Sequence, residues 1–125
     1  MERTFVMIGS ILMLVGVGAG AFGTHGLSTY FAQHPDLQGT YETAVRYHIY
    51  HALSLFIAAG AANKWGGALP GWAGWLFFVG VLIFSGSLYL LVFTGVRRFG
   101  AITPIGGVAF LAGWLCLFLA AWRSA

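Results

Sequence analysis

Charge is what this chain has least of. Its 125 residues include six Lys/Arg and three Asp/Glu, or 7% charged, where soluble proteins carry about 25%. Acids and bases alike are confined to Glu2, Arg3, Asp36, Glu42, Arg46, Lys64, Arg97, Arg98 and Arg123, so that 4–35, 47–63, 65–96 and 99–122 carry none. Basic residues form no stripe beyond Arg97-Arg98, which removes the electrostatic footprint of a nucleic-acid binder. A single cysteine, Cys116, excludes an intramolecular disulfide. No acid falls inside an uncharged stretch, so the embedded glutamate on which small multidrug exporters depend is missing.

What is present is hydrophobic, 59% of the chain. About 20 mainly apolar residues cross a hydrocarbon core about 30 Å thick. The pattern predicts an all-α integral membrane four-helix bundle, up-down-up-down, as one domain over 1–125. Its spans are expected at about 4–23, 43–62, 71–94 and 100–122, with a polar first connection. Ala19-Gly20-Ala21 imitates a signal-peptide cleavage site, but Glu2 and Arg3 cancel each other ahead of it, and 4–23 is expected to be a retained span. Within the polar connection, Ser28 to His34 reads as one interfacial turn ended by Pro35 and Asp36, and Thr40 as the N-cap of the second span. Pro104 falls in the first turn of the fourth span, where its missing N–H is harmless. Gly16 with Gly20, and Ala109 with Gly113, have the spacing that lets helices approach closely in lipid. The expected partners are the bilayer and, through such glycine-rich faces, a second copy of the chain.

The second span must include its polar first half to be long enough. Counting back from Lys64 puts Arg46 roughly 27 Å away, near the opposite interface, and His51 roughly 20 Å away. Arg46 reaches headgroups by snorkelling; the shorter imidazole does not, so His51 is expected to point into the bundle. Because successive helices alternate in direction, His25, Arg46, Tyr47, His48, His51, Ser85, Ser87, Tyr89 and Thr103 all fall in one half of the membrane. Trp65, Trp72, Trp75 and Trp122 fall towards the other, while Tyr30, Tyr41 and Tyr50 join the polar half. Trp and Tyr both favour bilayer interfaces.

Two uses are open to the polar half. Its residues can hydrogen-bond one another across helices, or they can form a site. His48 and His51, at i and i+3, would share a face and with His25 would supply three nitrogens to a metal, or one axial ligand to a haem. No carboxylate or second cysteine accompanies them, so no metal or other cofactor is expected. Ser85 or Ser87 with His51 makes a nucleophile–base pair only on paper, since no orienting acid or elbow motif stands beside it. Gly106-Gly107 after Thr103-Pro104 suits close helix packing, or a backbone exposed to a ligand.

Four motifs resemble one family. Gly20-Ala21-Phe22-Gly23-Thr24-His25 is similar to its GAFGxH signature, and Arg46-Tyr47-His48-Ile49-Tyr50-His51-Ala52-Leu53 to its aromatic run ending in His-Ala-Leu. Phe84-Ser85-Gly86-Ser87-Leu88-Tyr89 and Thr103-Pro104-Ile105-Gly106-Gly107 are similar to its FSGSLY and TP-x-GG motifs. That family is domain of unknown function 423, related to the eukaryotic transmembrane protein 256. The resemblance covers nearly the whole chain and implies a small four-span protein of the bacterial inner membrane; it implies no reaction. The expectation is therefore a non-enzymatic membrane protein whose polar half binds a small ligand, a lipid or a partner helix. The alternatives are an oligomeric transporter or channel, and a metal- or haem-binding accessory redox subunit. Basic residues divide three against three between the two sides, and only the α-amino group tips the balance towards cytoplasmic termini.

Overall fold

In the computed structural model, which describes residues 1–124, every regular element is a helix and none is a strand. Helix α1 spans Glu2–His25, α2 Ser28–Gln33, α3 Pro35–Trp65, α4 Leu69–Gly80, α5 Gly86–Thr94 and α6 Thr103–Ser124. A π-helical turn, Val81–Ser85, joins α4 to α5 in one continuous rod, and a 3-10 segment, Arg97–Ala101, leads into α6. No cis peptide bond occurs among the described residues.

Three rods are long and apolar enough to cross a membrane: Glu2–His25, Leu69–Thr94 and Arg97–Ser124. Helix α3 is longer than any single one of them at 31 residues, yet its tyrosines, histidines and charges keep it out of that set. Its position explains the composition. Helix α3 touches α1, α2, α4, the π turn, α5 and α6, and its buried side chains include Tyr41, His48, His51 and Ser54. A helix packed against several others on one side can carry polar groups on that inward face, because its neighbours rather than lipid receive them.

Adjacent rods face one another in opposite chain directions. Gly9 of α1 lies against Ala52, Leu55 and Phe56 of α3, Gly16 against His48 and Ile49, and Gly23 against Tyr41. On the other side Gly113 of α6 lies against Phe77 and Ala73, and Gly106 against Phe84. The last contact is backbone on backbone: a Cβ at Gly106 would sit 2.8 Å from the Phe84 Cα, well inside van der Waals contact, so a side chain there would push α6 off the π turn. Two apolar clusters mark the ends of the assembly. Phe5, Leu55, Ala58, Ala73 and Phe77 form one; Leu27, Phe31, Leu37, Tyr41, Leu91 and Val92 form the other.

The polar connection departs from expectation. Helix α3 begins at Pro35, not after an N-cap at Thr40, with proline in its first turn and Asp36 beside it. Leu37 and Tyr41 explain the earlier start, since both bury into the cluster with Leu27, Phe31, Leu91 and Val92 and hold the added turn in place. At 1.5 Å per residue α3 is about 46 Å long, which exceeds the hydrocarbon thickness by several turns. Those extra turns, with α2 leaning on them, make a shelf at one end. Arg97 ties the shelf to the α5–α6 hairpin through a 2.7 Å ion pair with Asp36, and the Tyr30 hydroxyl donates to the Val92 carbonyl at 2.6 Å. The π turn had no counterpart in the sequence reading. It places Ser85 where its hydroxyl reaches α3.

Candidate functional site

Two polar regions lie within this half of the molecule, one closed and one open. The closed region is built on the inward face of α3. His48 bonds the Leu12 carbonyl through Nε2 and the Tyr89 hydroxyl through Nδ1, each at 2.8 Å. A carbonyl only accepts, so Nε2 carries the proton and the tyrosine donates to Nδ1. His51, one turn later, has the reverse arrangement. Its Nδ1 meets the Tyr47 carbonyl at 3.0 Å, and its Nε2 receives the indole N–H of Trp114 at 3.1 Å. A carbonyl on one nitrogen and an N–H donor on the other hold this ring in the Nδ1–H form. The imidazole also lies flat on Phe110, with centroids 3.5 Å apart and planes 8° from parallel.

The serines of this region are also hydrogen-bonded, and Tyr47 is packed among aromatic rings. Ser85 donates to the Ala44 carbonyl at 2.7 Å, Ser87 pairs with the Thr103 hydroxyl and donates to the Phe84 carbonyl, and Tyr47 packs on Phe84 and Tyr50. Among the described residues no buried side-chain nitrogen or oxygen lacks a partner. Neither serine bonds His51. His25 stands apart at the exposed end of α1, and among the described residues no three His, Cys, Asp or Glu come together as a metal would require. His48 and His51 do not act as a pair either: one turns to α1 and α5, the other to α6. Trp114 was absent from the sequence reading. It is the tryptophan out of line with the other four, and an indole N–H at mid-span calls for an acceptor.

The open region is a cleft of about 630 Å³ between the end of α1, α2 and the first turns of α3. Gly20, Gly23, Phe31, Tyr41 and Val45 make its apolar floor, while Thr24, Ser28, Gln38, Glu42 and Arg46 supply polar groups. Gln38, Glu42 and Arg46 follow one another at i, i+4 and i+8, a single stripe along α3. Glycines at 20 and 23 keep α1 low enough to leave the space open, and a Cβ at Gly23 would collide with the Tyr41 ring. Tyr41 is held by its own hydroxyl, which donates to the Ala19 carbonyl of α1. The one ion pair among the described residues is Arg97 with Asp36, so Glu42 and Arg46 face the cleft without a charged partner within 4 Å. Of the nine candidate site residues, only Arg46 lines this cleft; Gly20, Gly23 and Thr24 of the first motif, Ser28 of the expected turn and Tyr41 line it too. Thr24 reaches it from the end of α1 and Ser28 from α2, the turn expected at Ser28 to His34, while Gln38, Tyr41 and Glu42 join it through the early start of α3. The opposite end holds a smaller depression of about 300 Å³ beside Trp65, Pro70 and Arg123.

A family profile described as "Protein of unknown function (DUF423)" matches residues 19–107, which include the cleft and both interior histidines. The chain is 48% identical over 122 residues to the UPF0382 membrane protein YwdK of Bacillus subtilis, covering 95% of this chain and 96% of that one. It is 43% identical over 121 residues to UPF0382 membrane protein SH2409 of Staphylococcus haemolyticus, with 97% of each covered. To UPF0382 membrane protein SAB0533 of Staphylococcus aureus it is 42% identical over 123 residues, with 98% of each covered. No solved structure matches.

Proposed function

The chain belongs to the DUF423 family of membrane proteins of unknown function, and on that premise we propose that it is a non-enzymatic, four-span protein of the plasma membrane that holds a small amphipathic molecule in the cleft at its polar end. The observation that carries this reading is the cleft itself, with its apolar floor and the two unpaired charges of opposite sign at its side. Binding sites of this size are commonly mostly apolar with a few convergent polar groups. The interior histidines, by contrast, have both ring nitrogens taken up by hydrogen bonds within the bundle, which leaves none to ligate a metal.

Four crossings at about 4–23, 43–62, 71–94 and 100–122 follow if α3 crosses with the three apolar rods, its polar groups spent on its neighbours. The rods then run up-down-up-down with both termini on the cytoplasmic side and the cleft in the opposite leaflet. Within the long rods, Gly18, Gly60 and Gly86 have nothing against them in this chain and remain open to a second copy; Gly16, Gly106 and Gly113 are already occupied.

Native mass spectrometry of protein extracted with its lipids tests the cleft. Wild type is expected to retain one amphiphile per chain, and Ala32→Trp, at an exposed position of α2 that lines the cleft, to lose it. Equal adducts in both forms would remove the cleft from consideration. Single cysteines at Ser28, Lys64, Arg98 and Ser124 in a Cys116→Ala background test the crossings. Positions 28 and 98 are expected to label from one side and 64 and 124 from the other; any other division contradicts four spans.

A further inference from the structure

The order of groups along the cleft names the chemistry of the amphiphile. Helix α3 exposes one stripe over most of its length: Gln38, Glu42, Arg46, Tyr50, Leu53 and Ile57. From the shelf inward it reads polar, anionic, cationic, then aromatic and aliphatic. A phospholipid with an amino headgroup reads in the complementary order from water to tail: ammonium, phosphate, glycerol, acyl chain. We propose that the cleft seats a single phospholipid whose phosphate carries a two-carbon primary ammonium, with the phosphate on Arg46 and the ammonium on Glu42. This inference rests on the amphiphile reading above and specifies its ligand.

Position supports each half of the assignment. Arg46 is the deeper charge, and guanidinium binds phosphate oxygens through two parallel N–H bonds. Glu42 lies about 6 Å nearer the shelf, a separation comparable with the oxygen and two carbons that link phosphate to ammonium. Gln38, one turn further out, and Thr24 and Ser28 across the cleft add oxygens that accept N–H bonds. A quaternary ammonium has no N–H to give those oxygens. A glycerol headgroup leaves Glu42 facing no cation, and a serine headgroup sets a second carboxylate beside it. Tyr50, Leu53 and Ile57, each about half exposed, continue the stripe where acyl chains would lie. The reverse placement, with the ammonium inward at Arg46 and the phosphate outward at Glu42, sets like charge against like at both positions.

The test is lipid competition on the full-length protein, delipidated in detergent and offered equal amounts of phosphatidylethanolamine, phosphatidylglycerol and phosphatidylcholine, with retained lipid read by native mass spectrometry. Phosphatidylethanolamine is expected to exceed each of the others by about tenfold, the effect of one well-formed charged contact. Glu42→Gln should bring ethanolamine and glycerol lipids to near parity. Arg46→Gln should reduce all three. The double variant Glu42→Arg/Arg46→Glu keeps net charge and should abolish the preference. Soluble phosphoethanolamine at equal concentration should displace nothing, and displacement would reassign the cleft to a soluble phosphoamine. Equal retention of the three lipids by wild type, or an unchanged ratio in Glu42→Gln, overturns the headgroup assignment while leaving an amphiphile in the cleft if Ala32→Trp still expels it. No retention of any lipid by wild type overturns both.

Discussion

Helix α3 carries polar side chains on two faces, and the two faces have opposite fates. Inward, His48, His51 and Ser54 are buried, and each polar atom has a partner on its own or a neighbouring helix. Outward, Gln38, Glu42 and Arg46 line a cleft, and the two charges find no ion-pair partner. The inward groups hold rods together. The outward groups, at the same end of the same helix, are left to meet something else. A cluster of histidines, tyrosines and serines deep in a membrane protein is thus not by itself a site; what matters is whether its bonding capacity is already spent.

Substitution on the two faces should separate stability from binding. The largest expected effect on stability is at His48. Its replacement by Ala removes bonds to two other helices and leaves a cavity at a buried position, at a cost of about 2–4 kcal/mol. Unfolding of the protein in detergent, followed by tryptophan fluorescence, measures it; a loss under about 0.5 kcal/mol would mean that the closed region is not structural. Ser85→Ala removes the bond from the π turn to Ala44 and should cost about 1 kcal/mol, the scale of interhelical hydrogen bonds in membranes. At the small end, Glu42→Gln and Arg46→Gln should change stability by no more than about 0.5 kcal/mol while altering lipid retention. If they destabilise as much as His48→Ala, the contrast between the faces fails.

A spectroscopic measurement sharpens the same contrast without changing the protein. Nitrogen-15 shifts of the two imidazoles should report opposite neutral tautomers, Nε2–H at His48 and Nδ1–H at His51. A single tautomer shared by both would break the bonding scheme of the closed region.

Much of this was legible beforehand, and unevenly so. The apolar stretches and the inward direction of His51 followed from counting residues against hydrocarbon thickness. The partners of the buried polar groups did not, because Leu12 and Tyr47, which meet the histidines, and Ala44, which meets Ser85, act through backbone carbonyls that no side chain advertises, and nothing in its spacing set Trp114 apart as a partner of His51. The cleft was hidden for a different reason. Residues 24–40 read as a polar connection holding one turn over Ser28 to His34, which α2 matches, yet burial of Leu37 and Tyr41 carries α3 back to Pro35 and makes helix of the rest. With Thr40 read as the N-cap, Glu42 fell in the first turn of the helix, when it sits two turns inside.

By itself the sequence determined the solvent, the helical class and which half of the molecule is polar, because hydrophobic length and helix direction are one-dimensional properties. Tertiary structure alone decided which polar groups are spent and which remain open. Hydrogen-bond satisfaction and clefts depend on which side of α3 meets α1, α5 and α6, and that is set by close packing at Gly9, Gly16 and Gly106, not by spacing along the chain.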